Sequence, residues 1–323
     1  MEVKKMFKKL SQFIEKMEMG EEVQVDDLQI RRLIHKDAGL NSQIPLLTLD
    51  EACRRRLVTI KEVSNGATVS RIEVKNDSPH KVFVLEGELV RGARQDRAVN
   101  TNTVIEPNMS KEVPVSCVEQ GRWRGDSPEF TTNDATLPPS IKSDLQNQVT
   151  DNSINFGFND SNQSEIWNKI GIKQASMSVY SITNSILDIF EANNARLSSD
   201  DVRNAINPCK DQVGFLAFIR GGFAGGEIFG NAELYSKKCA SLIYGYLLDS
   251  LDRNVSFPFV DVSTALRDFK PIRLMRIKSE GSGSEFRFYT KCLQGTYRLV
   301  DDNFVYCNLF ARKSNNHRRF VNW

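Results

Sequence analysis

Residues 85–125 read LEGELVRGARQDRAVNTNTVIEPNMSKEVPVSCVEQGRWRG. The stretch alternates like a run of short strands, yet it carries Glu86, Arg91, Arg94, Gln95, Arg97, Cys117, Glu119, Gln120, Arg122 and Trp123. Burying an unpaired polar group costs roughly 1–3 kcal/mol and an unpaired charge more. Segments of this kind therefore build either a closed hydrogen-bond network or a polar ligand site, and the residues alone leave both open.

Working outward, strand-like segments rich in β-branched residues flank this core at 56–63, 67–76, 80–89, 97–105 and 111–119, punctuated by Asn, Gly, Pro and Asp. Five strands at such short spacing predict an antiparallel β-sandwich or barrel-like sheet. Thr48 followed by Glu51 is a capping box and predicts a short helix at 48–56. Residues 126–163 are polar and rich in Asn, Asp, Ser, Thr and Pro, and read as a long loop. Helices are expected over 164–191, from 198, and over 232–251, the last capped by Asn231. Between the last two, 214–221 and 226–230 form a hairpin about the glycine run 221–226. Strands return at 272–279, 284–290, 295–300 and 304–310. The fold class is thus α+β, with strands from both chain ends and a helical middle. A single domain is expected over 42–311, after an amphipathic N-terminal helix and linker at 1–41 and before a basic tail at 312–323.

The 323 residues carry a net charge of +2, which gives no global reason to expect a nucleic-acid partner. No run approaches the ~20 apolar residues of a membrane span. Six cysteines without a CxxC pair suit a reducing cytoplasm. The N-terminal helix has an apolar stripe (Met6, Phe7, Leu10, Phe13, Ile14, Met17) that fits packing on the body of the protein or on a second subunit.

Several chemistries compete for the central stretch. Cys117 and Arg122 are separated by four residues, one short of the phosphatase and rhodanese loop, so the thiol reads as a buried bystander. Glu86 and Glu119 are either a general acid–base pair, able also to ligate a hard cation such as Mg²⁺, or ion-pair partners of the arginines. Gln95 and Gln120 offer amides suited to a base or ribose. Arg97 and Arg122 suit bidentate recognition of phosphate or carboxylate. Trp123 is a stacking face or a core residue. The glycine run lacks GxGxxG spacing and joins two strands, so it is no phosphate loop. Glu285 and Arg287, in a later strand, could project toward the same cluster.

LEGELVRGARQDRAVN followed by VPVSCVEQGRW resembles the hallmark of the ARG and rhodanese-phosphatase-superfamily-associated proteins, a domain of unknown function. GFLAFIRGGFAGGEIFGNAELYSKKCASLIYGYLLDSL and GSGSEFRF resemble its later blocks, so the resemblance covers 42–311. It implies metabolism of NAD-derived ADP-ribose or its phosphorylated forms. The ligand site would be Gln95, Arg97, Gln120, Arg122 and Trp123, with Glu119 and Glu86 as acid–base candidates. Hydrolysis is the expected reaction, with a nucleotide-binding sensor and a purely structural network as alternatives. One departure stands out: Tyr306-Cys307 occupies the place where the family would have a histidine. If that histidine is catalytic in relatives, this chain binds without turnover.

Overall fold

The computed structural model describes residues 2–38, 45–63, 69–123, 125 and 127–312, with side chains from Phe7 onward. The chain opens with α1 (Glu2–Glu15), β1 (Glu18–Val25) and β2 (Leu28–Ile34). Next come β3 (Leu46–Thr48), α2 (Leu49–Arg54), β4 (Val58–Glu62), β5 (Arg71–Asn76), β6 (Lys81–Val84) and β7 (Glu88–Gly92). They are followed by β8 (Arg97–Val99), β9 (Thr103–Ile105), β10 (Ser110–Cys117) and β11 (Glu129–Thr136). The helical middle is α3 (Pro139–Phe156), α4 (Gln163–Ser176), α5 (Leu187–Ala192), α6 (Asn194–Leu197) and α7 (Asp200–Ile206). The hairpin β12 (Gln212–Ile219) and β13 (Gly222–Phe229) leads into α8 (Ala232–Leu251) and α9 (Val262–Arg267). The strands β14 (Arg273–Ile277), β15 (Ser284–Tyr289), β16 (Leu293–Val300) and β17 (Asn303–Ala311) close the order.

Six strands form a closed barrel in the order β10-β5-β4-β11-β7-β8. Alternation sends Ile60, Ile72, Val74, Val90, Val99, Val113, Val115 and Phe130 into its interior, where Leu49 and Ala52 of α2 plug one end. Thr48 caps α2 as its spacing predicts, its hydroxyl accepting from the Glu51 N–H at 3.2 Å. A small sheet, β3-β6-β9, lies beside the barrel. The other layer is an eight-stranded antiparallel sheet, β1-β2-β12-β13-β17-β16-β15-β14. One face of it carries Phe286, Phe288, Tyr297 and Leu309 and packs under α1 and α9. The α+β class with a barrel and strands from both ends of the chain is as the sequence predicts.

Four expectations are corrected. Residues 126–163 are not a loop: they contain β11 and the 18-residue α3. Helix α3 hides from hydropathy because its buried face includes Lys142, Ser143, Gln146 and Thr150, each hydrogen-bonded or packed rather than apolar. Residues 1–41 are not only a helix and linker, since β1 and β2 join the main sheet through β2–β12 pairing. The helix expected over 164–191 is broken into α4 and α5 by a turn in which Ser178 and Asn184 take positive φ. The hairpin turn is Arg220-Gly221 alone, and Gly222, Gly225 and Gly226 lie within β13, where other segments (Phe257, Tyr246 and Leu216) approach closely. Of the basic tail, residues 313–323 lie outside the described residues; Arg312 bonds the Thr290 carbonyl at 3.0 Å.

The apolar face of α1 serves its own chain: Phe7, Leu10 and Ile14 are buried, with Phe7 stacked on Phe269 at 5.4 Å. All six cysteines are free thiols. Among the described residues no helix is long and apolar enough to cross a membrane.

Candidate ligand site at the open end of the barrel

The barrel end opposite α2 is bounded by the end of β4, the start of β5, the start of β8, the end of β10 and the loops that follow β7 and β10. Antiparallel register sets Arg97 directly across from Cys117, each two residues along its strand from an interior position (Val99 and Val115). Both side chains therefore enter the barrel, where burial pushes the Cys117 thiol up from its ordinary value, against the pull of Arg97. The thiol remains a bystander.

The loop residues form a closed network on this rim. Arg122 donates through Nε to both Glu119 oxygens (2.9 and 3.0 Å) and through Nη2 to Glu119 Oε2 (2.7 Å) and Asp96 Oδ1 (3.0 Å). Its Nη1 donates to the Ala93 carbonyl at 2.6 Å. Glu119 Oε2 also accepts from the Asp96 N–H at 3.0 Å. Gln95 Nε2 holds the Glu119 carbonyl at 2.8 Å, and Ser185 Oγ donates to Asp96 Oδ2 at 2.8 Å. The hydrogen bonds to Glu119 raise the Arg122 guanidinium above its ordinary value. Asp96 moves the other way, raised by burial and by the neighbouring Glu119 charge.

Arg97 differs from Arg122. It is 1% exposed, and its Nη1 reaches only the Gln95 carbonyl (3.0 Å), Gln95 Oε1 (3.3 Å) and the Asp96 carbonyl (3.4 Å). No carboxylate among the described residues makes an ion pair with it. Desolvation accordingly lowers its pKa, with Cys117, Glu62, Asp96 and Glu119 acting in the opposite sense. Arg97 faces a small recess lined also by Arg71, Arg94, Glu62, Val63, Val69 and Phe130. Glu62 is engaged with Arg94, at 3.4 Å.

Six of the seven residues singled out in the sequence thus meet at one rim: Gln95, Arg97, Glu119, Gln120, Arg122 and Trp123. Gln120 is exposed, and its amide oxygen accepts from Asn184 at 3.4 Å. Trp123 is 58% exposed, edge-on to Trp167 at 6.4 Å. Glu86 lies elsewhere. It sits beyond the opposite end of β7 and pairs with Arg287 Nη1 at 2.7 Å, which in turn lies 3.2 Å from Glu285. Glu86 and Glu119 are therefore not one acid–base pair. Asp96 and Arg71 are the residues sequence reading passed over, and Arg94, noted in the central stretch, has no role assigned to it there. Asp96 stands between two chosen neighbours, but its own alternation gives no sign of its pairing with Ser185. Among the described residues no group of three or more His, Cys, Asp or Glu is placed to hold a metal ion.

These features define an α+β protein in which a polar-rimmed barrel is carried on an open antiparallel sheet. Residues 16–310 match the ARG and Rhodanese-Phosphatase-superfamily-associated Protein domain, and the chain belongs to that family. The match begins 26 residues before the block recognised by resemblance (42 against 16), so β1 and β2 are part of the family's domain. No curated protein and no solved structure matches the chain.

Proposed function

We propose that the protein binds an anionic nucleotide-sugar derived from NAD, ADP-ribose or a phosphorylated form, at the open end of the barrel in a reducing cytoplasm. The observation that carries this reading is Arg97, a buried guanidinium without a carboxylate partner among the described residues, beside Arg71 and Arg94. An unpaired buried cation is costly, on the order of several kcal/mol, and a phosphate in the recess offsets that cost. The three arginines around the recess suit a phosphate group, while the exposed face of Trp123 on the same rim suits a base. The ligand class comes from the family resemblance.

Binding is the first reading because Glu119 is saturated by Arg122 and the Asp96 amide and has no free edge for acid–base work. Hydrolysis is the second reading, with Asp96, raised by burial and by the neighbouring Glu119 charge, as the carboxyl that would act. Mg²⁺ would then enter with the ligand phosphates, not through a protein cage.

Titration calorimetry with ADP-ribose tests the proposal. Arg97→Ala is expected to weaken binding about tenfold or more, as loss of a charge-assisted hydrogen bond does. Trp123→Ala is expected to cost roughly 1–3 kcal/mol if a base stacks there. Unchanged affinity in Arg97→Ala sinks the phosphate site. Chromatography of the ligand after incubation separates the two readings, since under hydrolysis Asp96→Asn loses turnover and keeps affinity.

A further inference from the structure

The face of the eight-stranded sheet that looks toward the barrel carries two polar rows. Register aligns Glu227 (β13), Asn308 (β17), Thr296 (β16) and Arg287 (β15) across four adjacent strands. Two residues along, Phe229, Tyr306, Arg298 and Glu285 form the next row. Every one of these side chains is buried. Helix α3 covers them with Lys142, which donates to Glu227 Oε1 (2.8 Å) and Tyr306 Oη (3.0 Å), and with Gln146, whose amide lies 3.0 Å from the Asn308 amide. Glu86, from the β6–β7 corner, closes the end over Arg287.

We propose that these rows are a second ligand site, for a small oxyanion, gripped by the side-on edge of Arg287. Of this guanidinium Nη1 is engaged, by Glu86, by Glu285 and by the Gln146 amide oxygen at 3.1 Å. Nε and Nη2, the two parallel N–H groups that match a carboxylate or phosphate bidentately, have no hydrogen-bond partner. Arg298 Nε and Asn102 Nδ2 are likewise buried without an acceptor, while Glu86 Oε1 is a buried acceptor without a donor and Glu285 Oε2 meets Arg298 Nη1 only at 3.6 Å. A purely structural network would pair its donors with those acceptors.

Charge decides how the anion is accommodated. Lys142, Arg287 and Arg298 balance Glu86, Glu227 and Glu285, so an added anion requires a proton. Burial pushes the Glu86 carboxyl up to about 7, against the pull of Arg287. The groups facing it are Arg287 and Glu285 from β15, Lys142 from α3 and Tyr306 from β17. Glu86 takes up the proton, and the anion binds more tightly as pH falls. The rows approach the surface at the β14–β15 turn, where Arg298 bonds Ser279 Oγ (2.5 Å) and Glu280 lies 3.6 Å from Arg71 of the barrel mouth.

The site is independent of the barrel-mouth proposal, and the test separates them. In full-length Arg97→Ala protein, inorganic phosphate is expected to bind once per chain, more tightly at about pH 6 than at about pH 8. Adding Arg287→Lys, which keeps the charge and removes the fork, is expected to weaken that binding about tenfold or more. Crystals of the unmutated chain soaked with tungstate give a second readout that needs no variant, an anomalous peak at the Nε–Nη2 edge of Arg287. Phosphate binding abolished by Arg97→Ala alone, or tungstate absent from that edge, overturns the proposal.

Discussion

Lys238 is fully buried on α8 and hydrogen-bonds both Asp50 and Glu88, joining α2, β7 and α8 at one point. Burial would raise Asp50, but the charge and hydrogen bond of Lys238 hold it below its ordinary value. Lys238→Met leaves two carboxylates without their cation and is expected to destabilise the fold by about 3–5 kcal/mol, read from denaturant unfolding. Loss below about 1 kcal/mol would show that the triad contributes little. Glu86 gives a pH signature of opposite sense to a surface salt bridge. Its folded pKa of about 7 lies above the unfolded carboxylate value, so its contribution to stability is complete below that unfolded value and is lost as pH rises toward 7. Thermal unfolding between about pH 5 and 7 should therefore fall less steeply in Glu86→Gln than in the unmutated protein. Parallel curves would contradict the shift.

At the scale of elements, the corner between β6 and β7 shows how one backbone position holds the interior together. Gly87 has φ +85°, and a Cβ there would lie 3.1 Å from the Lys142 side chain that serves Glu227 and Tyr306. Gly87→Ala is expected to cost at least about 1–2 kcal/mol from the left-handed backbone alone, measurable as a lowered unfolding midpoint. Legibility in the sequence followed the chemistry of each element. Helix α8 and strands β14–β17 were readable because caps and alternation agree with burial: Asn231 accepts from the Leu234 N–H at 2.7 Å, as its position predicts. Helix α3 and strand β1 were not. The first buries polar side chains in ion pairs, and the second is an edge strand, EMGEEVQV, whose charged residues face water. The rim site was largely readable because its residues lie within thirty positions of one another. The pairing of Glu86 with Arg287, two hundred and one residues apart, is a matter of register between strands that no local pattern records.

For the whole molecule, α1 acts as a clamp on the sheet. Leu10 is fully buried there, and Leu10→Ala is expected to cost about 2–5 kcal/mol in chemical unfolding. A change in oligomeric state without loss of stability would instead assign the helix to a subunit contact. The sheet beneath α1 has its own temporal consequence. Strand β17, from the far end of the chain, lies between β13 and β16, and the N-terminal β1–β2 pair docks on β12. During synthesis the barrel strands are complete once residue 136 has emerged, while β2 waits with an open edge for β12 and β13 waits with one until residues 303–311 leave the ribosome. Such nascent edges invite mispairing. Ribosome-stalled chains ending before β17 should carry a protease-resistant barrel and a digestible sheet, making the translation of residues 230–302 the interval in which chaperones matter most.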